Sequence, residues 1–125
     1  MTVAIVGILA AIAIPQYGRT VERGYWQAAQ DVLLTVYAGE QTFFTVNNQY
    51  QPIPLGSPMA MWRTIFMDDP NTPTVPVTYN VATNGLQGNQ AKFTATAIRN
   101  GGLLNGSAIT IDQNRTMNLT NWPRP

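Results

Sequence analysis

The sequence predicts an α+β fold, in which one long N-terminal α-helix packs on an antiparallel sheet of about four strands. Three observations support this prediction. Apolar residues recur every three or four positions as far as Asn47, they alternate with polar residues in short runs after Pro76, and a stretch rich in Pro separates the two parts. The 125 residues contain no internal repeat and suffice for one domain with a modest core.

The predicted helix has two unequal parts. Residues 1–14 carry no charge, and after Pro15 one apolar stripe continues on an otherwise polar helix. A helix over residues 1–47 would be roughly 70 Å long, whereas a compact domain of this size is about 30 Å across. We therefore expect residues 1–20 to project from a head of residues 48–125, where a membrane or other chains would cover them. The stripe comprises Tyr17, Val21, Tyr25, Ala28, Val32, Val36, Gly39 and Phe43.

The apolar opening alone leaves alternatives open. Fourteen residues are fewer than the roughly 20 that span a bilayer as a helix. A signal peptide is disfavoured, because it would need a positive segment before the apolar core and a small-residue cleavage site after it. A buried core helix and a shortened membrane helix both remain consistent with the residues.

The stretch "VGILAAIAIPQY", which ends at Tyr17, resembles the N-terminal signature of type IV pilins and pseudopilins. Members of this family are exported, cut by a prepilin peptidase, held in the inner membrane and assembled into filaments. The family's mature pattern begins about seven residues earlier and has a glutamate in its fifth place, which no residue of this sequence matches. Seven more apolar residues would bring the segment to bilayer-spanning length. The resemblance implies a filament core and subunit interface formed by Val3, Ile5, Val6, Ile8, Leu9, Ile12 and Ile14.

Gly7 and Pro15 punctuate this apolar segment. Proline has no N–H, and its ring clashes with the carbonyl four residues back, here that of Ala11. Glycine weakens a helix further. The residues alone allow either a kink or a break of the helix. In filaments of similar pilins the helix is unwound between such a glycine and proline, so the resemblance favours a helix break over residues 10–14 in the filament.

The head is expected to consist of a loop at residues 48–76, an antiparallel sheet at 77–119 and a tail at 120–125. The loop contains "NNQYQPIPLGSPMAMW", with at most a short helical turn. The strand-forming runs are "VTYNVAT", "AKFTATAI", "SAITID" and "TMNL". Their apolar face is expected to pack on Tyr25, Val32, Val36 and Phe43, and a chain that starts near Arg23 is expected to fold as a soluble monomer. Trp122 either anchors the tail or frays with it.

The composition excludes several kinds of chemistry. The chain has no Cys and no His, which removes Cys/His metal sites, thiol nucleophiles and Ser-His-Asp triads. Asp68 and Asp69 could join loop carbonyls around calcium, but a solvated turn explains them as well, and no pair of carboxylates suggests acid–base catalysis. We predict no enzyme activity, metal or cofactor, and a net charge of +1 gives no reason to expect nucleic acid.

The roles of several polar and aromatic residues can be interpreted in two ways. Glu22 is expected either to pair with Arg19 on the helix, or to mark a membrane boundary or a subunit contact together with Arg19 and Arg23. The aromatic side chains of the helix have the spacing of a core stripe, which we prefer to electron conduction. Sequons for glycosylation begin at Asn105, Asn114 and Asn118, about twice as many as an Asn- and Thr-rich chain contains by chance, which is weak evidence for glycosylation.

The predicted function is therefore structural. We expect a subunit of a type IV pilus or a related extracellular filament, which assembles with copies of itself from an inner-membrane pool with the help of pilus assembly machinery. The alternatives are a pseudopilin of a type II secretion system and a membrane-anchored monomeric domain that binds a ligand. The sequence leaves open whether the subunit is major or minor, and whether the fibre serves adhesion, motility or DNA uptake.

Overall fold

A computed structural model of the protein describes residues 18–125 in full and residues 2–17 only as part of the first helix. It contains a long N-terminal helix and a four-stranded antiparallel sheet, which confirms the predicted α+β class. A short 3₁₀ turn at Gly88–Gln90 lies between the first two strands. The elements in chain order are α1 (Thr2–Asn47), α2 (Met59–Arg63), β1 (Val77–Thr83), β2 (Phe93–Arg99), β3 (Ala108–Asp112) and β4 (Met117–Asn118).

The sheet is a meander in the order β1-β2-β3-β4, with every neighbouring pair antiparallel. Alternate side chains of each long strand point to one face and are buried there, as the period of two in the sequence predicts. In β2 the buried side chains begin at Phe93 and end at Arg99. Arg99 is charged, although the alternation places it among the apolar buried residues. The other buried side chains of this face are Val77, Tyr79, Val81, Ala95, Ala97, Ile109 and Ile111.

Strand β2 runs antiparallel to α1. The ring of Phe93 lies 6.4 Å from that of Tyr37, and at the other end of the strand Arg99 contacts Glu22. The fifteen helical steps and the six strand steps between these contacts both span about 20 Å, so helix and strand match in length. We call the end of the head at Glu22 and Arg99 the base, and the end at Asn47 the top.

The buried face of α1 is wider than the predicted stripe and is rotated from it. Val36 and Gly39 of the stripe are buried, but Ala28 is exposed. Ala29 and Leu33, one position further along the chain, are fully buried instead. The reason is that α1 is covered from two sides, by the sheet and by the connecting loop. Tyr25, Val32 and Phe43 lie at the margins of this face, where they are partly buried against the core.

The connecting segment between α1 and β1 adds a second wall to the core. Trp62 of α2 and Ile65 just after it are fully buried. Ile53 pairs with Val81 through two backbone hydrogen bonds, of 3.0 and 2.8 Å, which covers part of the exposed edge of β1. This wall approaches α1 so closely that a Cβ on Gly39 would lie 2.1 Å from the carbonyl oxygen of Ile65.

Candidate functional site: the helix and the base of the head

The residues predicted to form the filament core lie outside the residues whose side chains the structure describes. This applies to Val3, Ile5, Val6, Ile8, Leu9, Ile12 and Ile14, and equally to the predicted helix break at Gly7 and Pro15. Their roles therefore stay predictions. The described part of the site is the surface where α1 enters the head, together with the contacts that fix the head to the helix.

A partly buried ion pair joins α1 to the sheet at the base. The guanidinium of Arg99 donates two hydrogen bonds to the carboxylate of Glu22, one of 2.6 Å from Nη2 and one of 3.1 Å from Nε. The same guanidinium lies 5.2 Å from the ring centre of Tyr25, in a cation–π arrangement. The hydrogen bond to Glu22 raises the pKa of Arg99 above its ordinary value. Of the two expectations for Glu22, the pair with Arg19 is wrong, because the guanidinium of Arg99 binds both carboxylate oxygens. The other expectation, a membrane boundary or a subunit contact, stays a prediction.

Arg99 is almost fully buried, with 7% of its surface exposed. Its remaining donor group, Nη1, reaches the backbone carbonyls of Pro76 and Asn100. A buried guanidinium is costly unless its charge and its N–H groups are both satisfied. Here the arrangement satisfies both, and it ties the helix, the start of β1 and the β2–β3 turn together at one point.

The C-terminal tail is fixed to the same end of the helix. The indole N–H of Trp26 donates to the carbonyl of Trp122 at 2.8 Å, and Nε of Arg23 donates to the carbonyl of Pro125 at 2.7 Å. The Trp122 ring is completely buried. Of the two expectations for the tail, anchoring is therefore confirmed and fraying is not. Arg23 thus serves a contact within the chain.

A second glutamate on the same helix lies at the top in a very different environment. Glu40 is completely buried. Its Oε2 accepts a hydrogen bond of 2.8 Å from the backbone N–H of Gln51, and its Oε1 has no partner among the described residues. Burial raises the pKa of Glu40 to about 8, against a smaller lowering by the Gln51 hydrogen bond. The side chain is therefore mainly protonated at neutral pH.

The other polar candidates occupy ordinary surface turns. Asp68 lies 3.5 Å from Arg63 with both side chains largely exposed, and Asp69 accepts the backbone N–H of Asn71 at 2.9 Å. Among the described residues, no group of three or more His, Cys, Asp or Glu side chains could hold a metal ion. The contacts of the two aspartates are those expected of a solvated turn.

The three sequons lie on the surface, and their asparagines are exposed. Two of these asparagines, Asn105 and Asn118, use the side-chain oxygen to accept backbone N–H groups of their own turns. The third, Asn114, lies in the turn that Asp112 stabilises. These local bonds account for the asparagines as turn formers.

The helix aromatics contact core rings, as a packing role predicts. Phe44 stacks on Tyr50 at 4.9 Å between ring centres, and Tyr50 meets the edge of Phe93 at 4.7 Å. Such pairs stabilise a core beyond the area that they bury.

Sequence reasoning missed Arg99 and Glu40. A signal for each was present. Arg99 continues the buried alternation of Phe93, Ala95 and Ala97, and Glu40 follows the buried Val36 by four residues on α1. A charged residue in phase with an apolar face indicates either an ion pair or a group that burial keeps neutral. The sequence pattern shows where such a residue lies, but only the fold shows which of the two applies.

Comparison of the chain with protein-family models, with curated proteins and with solved structures gives no match. Among the residues that the structure describes, no helix combines the length and the apolar content needed to cross a membrane.

Proposed function

We propose that this protein is a structural subunit of a type IV pilus or a related extracellular filament, and that it polymerises through its hydrophobic N-terminal helix. The observation that supports this most is where the head ends along α1. Glu22 pairs with Arg99 at the base, and the seven-residue strands β1 and β2 are only about 23 Å long. The charge-free residues 3–14 come at least eight positions before Glu22 in the sequence.

The free energy of assembly would come from apolar side chains of many helices packed against one another, at about 25 cal/mol per Å² of apolar area buried. The residues proposed for this contact are Val3 to Ile14, and Gly7 and Pro15 would allow the backbone to stretch between them. Only 10% of the chain is charged, so a neighbouring copy can pack against the head at a small cost of desolvation.

The fixed junction at the base suits a filament subunit. Glu22 and Arg99 join the sheet to the helix, and Trp26 and Arg23 hold the tail against it. Contacts made by the N-terminal helix can therefore orient the whole head on the fibre surface. We propose copies of this chain as its main partner, an inner-membrane pool before assembly, and the pilus assembly machinery as the agent of transfer.

The test uses fibres sheared from the surface of cells that make the protein. An antibody against the head should label these fibres in electron micrographs, and the chain should be identified in them by mass spectrometry. Ile8→Lys should abolish the fibres while the membranes still contain the subunit, because a lysine in the proposed core would remain buried and unpaired. The control is Val46→Lys at the top, where 77% of the side chain is exposed, and it should leave the fibres intact.

Fibres of normal number and length from the Ile8→Lys cells would contradict the proposal. Recovery of the subunit only in a short assembly at a secretion complex would favour a pseudopilin instead.

A further inference from the structure

The base of the head presents two adjacent leucines beside the start of the described part of α1. Leu103 is fully exposed and Leu104 is half-buried, and together with Gly18, Arg19, Glu22 and Pro125 they line one open cleft. Both leucines lie in the turn between β2 and β3. Glycines with positive φ at both ends of this turn let it project beyond the sheet: Gly101, Gly102 and Gly106.

The same end of the head carries most of the positive charge of the protein. Four of the seven basic residues lie in or next to the contacts at the base, with only one of the six acidic residues, Glu22. The base therefore has a formal charge of +3 and the rest of the chain −2. Because Glu22 is taken up by Arg99, no carboxylate side chain at the base offsets the other cations. The four basic residues are Arg19, Arg23, Arg99 and Arg124.

The position of the leucine turn along α1 can be compared with the thickness of a lipid headgroup layer. Gly18 follows the apolar residue Ile14 by four positions, or about 6 Å of helix. The headgroup layer of each bilayer leaflet is roughly 5–8 Å thick. If the apolar segment ends at the edge of the hydrocarbon, the cleft that contains Gly18 and Leu103 lies among the headgroups.

We propose that Leu103 and Leu104 insert into the headgroup layer of an anionic bilayer while Arg19 binds lipid phosphates, so that the head docks on the membrane before assembly. Exposed apolar side chains bordered by basic residues match such a surface in both polarity and charge. The inference rests on the proposed function, because it requires the apolar segment to be in a membrane. It adds a second membrane contact, made by the head itself, which a subunit must give up when it enters the fibre.

The chain has no Cys, so a single introduced Cys can carry a nitroxide spin label. Leu103→Cys is compared with Leu86→Cys, whose side chain is 47% exposed in the β1–β2 turn at the top. A third variant, Leu9→Cys, reports whether the apolar segment has inserted. The full chain is reconstituted in vesicles of phosphatidylethanolamine and phosphatidylglycerol, and the accessibility of each label to oxygen and to a water-soluble nickel complex is measured.

We expect the labels at positions 9 and 103 to be several-fold less accessible to the nickel complex than the label at position 86. Arg19→Gln, or the replacement of phosphatidylglycerol by phosphatidylcholine, should increase the accessibility of position 103 and leave position 9 unchanged.

If position 9 is inserted while position 103 is as accessible as position 86, the docking proposal is wrong and the pilus proposal stands. If position 9 is itself accessible to the nickel complex, both the docking proposal and the proposed membrane pool are overturned. Shielding of position 103 only in assembled fibres would assign the leucines to a neighbouring subunit and would also overturn the docking proposal.

Discussion

Glu22 and Glu40 lie on the same face of one helix, eighteen residues or five helical turns apart, yet their surroundings differ. At the base, Glu22 meets a guanidinium that takes both of its oxygens. At the top, Glu40 is fully buried and accepts one hydrogen bond, from the backbone N–H of Gln51, and burial raises its pKa to about 8. Glu40 is fully buried with one backbone partner, whereas the Glu22 side chain is 27% exposed and has a cationic partner, so both burial and the available partner distinguish the two sites.

The two regions also differ in what holds them together. The base is joined by directed polar contacts among Glu22, Arg99, Arg23 and the tail. The top is joined by close packing, in which the connecting segment lies against Gly39 with no room for a Cβ. Substitutions that remove a charge should therefore destabilise the base. A rise in pH, or a substitution that adds volume, should destabilise the top.

The largest expected effect is the pH dependence that Glu40 imposes. The folded protein keeps this proton up to about pH 8. In the unfolded chain the carboxyl group has its ordinary pKa of 4.5, so it releases the proton above that pH. Because the folded state binds more protons between these values, the free energy of unfolding falls as the pH rises, by about 1.4 kcal/mol per pH unit. Urea denaturation of residues 18–125 at pH 5, 6.5 and 8 would measure this slope.

Glu40→Gln is the matched control for that slope. The variant carries an uncharged side chain of the same shape at every pH, so its stability should exceed that of the wild type most clearly at pH 8 and least near pH 5. Identical slopes for the two proteins would mean that the Glu40 proton is not held in the folded state.

The next effect in size concerns the base. Glu22→Gln leaves the buried guanidinium of Arg99 without its counter-charge, and we expect the free energy of unfolding to fall by about 2–3 kcal/mol. The same reasoning revises the expected boundary of the soluble head. A chain that begins at Arg23 lacks Glu22 and should be less stable than one that begins at Gly18 by a similar amount. Equal denaturation midpoints for the two shortened chains would show that the ion pair contributes little.

The smallest expected changes in stability come from replacing two glycines of α1, Gly39 and Gly24. Gly39→Ala places a Cβ against the carbonyl oxygen of Ile65 and should destabilise the fold by about 1–3 kcal/mol. Gly24→Ala, in the same helix, has no atom within 4 Å of the new Cβ and should stabilise it by about 1 kcal/mol. Thermal unfolding of both variants tests the difference in sign, and a stabilised Gly39→Ala would refute the close approach at the top.

The sequence predicted the class of fold because periodicity is a local property. The period of two around Phe93, Ala95 and Ala97 and the steps of three and four on α1 both reflect which side of an element is buried. The centre of the helix face was misplaced, however: Ala29 and Leu33 are fully buried. The connecting segment also covers part of α1, at Gly39, and its irregular path has no period that the sequence could show. The same limit applies to the partner of Glu22, because Arg19 is near in sequence and Arg99 is near only after the sheet has formed.

We propose that residues 3–14 form the core of a fibre whose surface consists of heads like the one described, and a cryo-electron microscopy map of the fibre at side-chain resolution tests this proposal most directly. We predict that Val3, Ile5, Val6, Ile8, Leu9, Ile12 and Ile14 contact neighbouring copies, while Glu22 and Arg99 remain paired within each subunit. A map in which these apolar side chains pack against the head of their own subunit, or face solvent, would contradict the account.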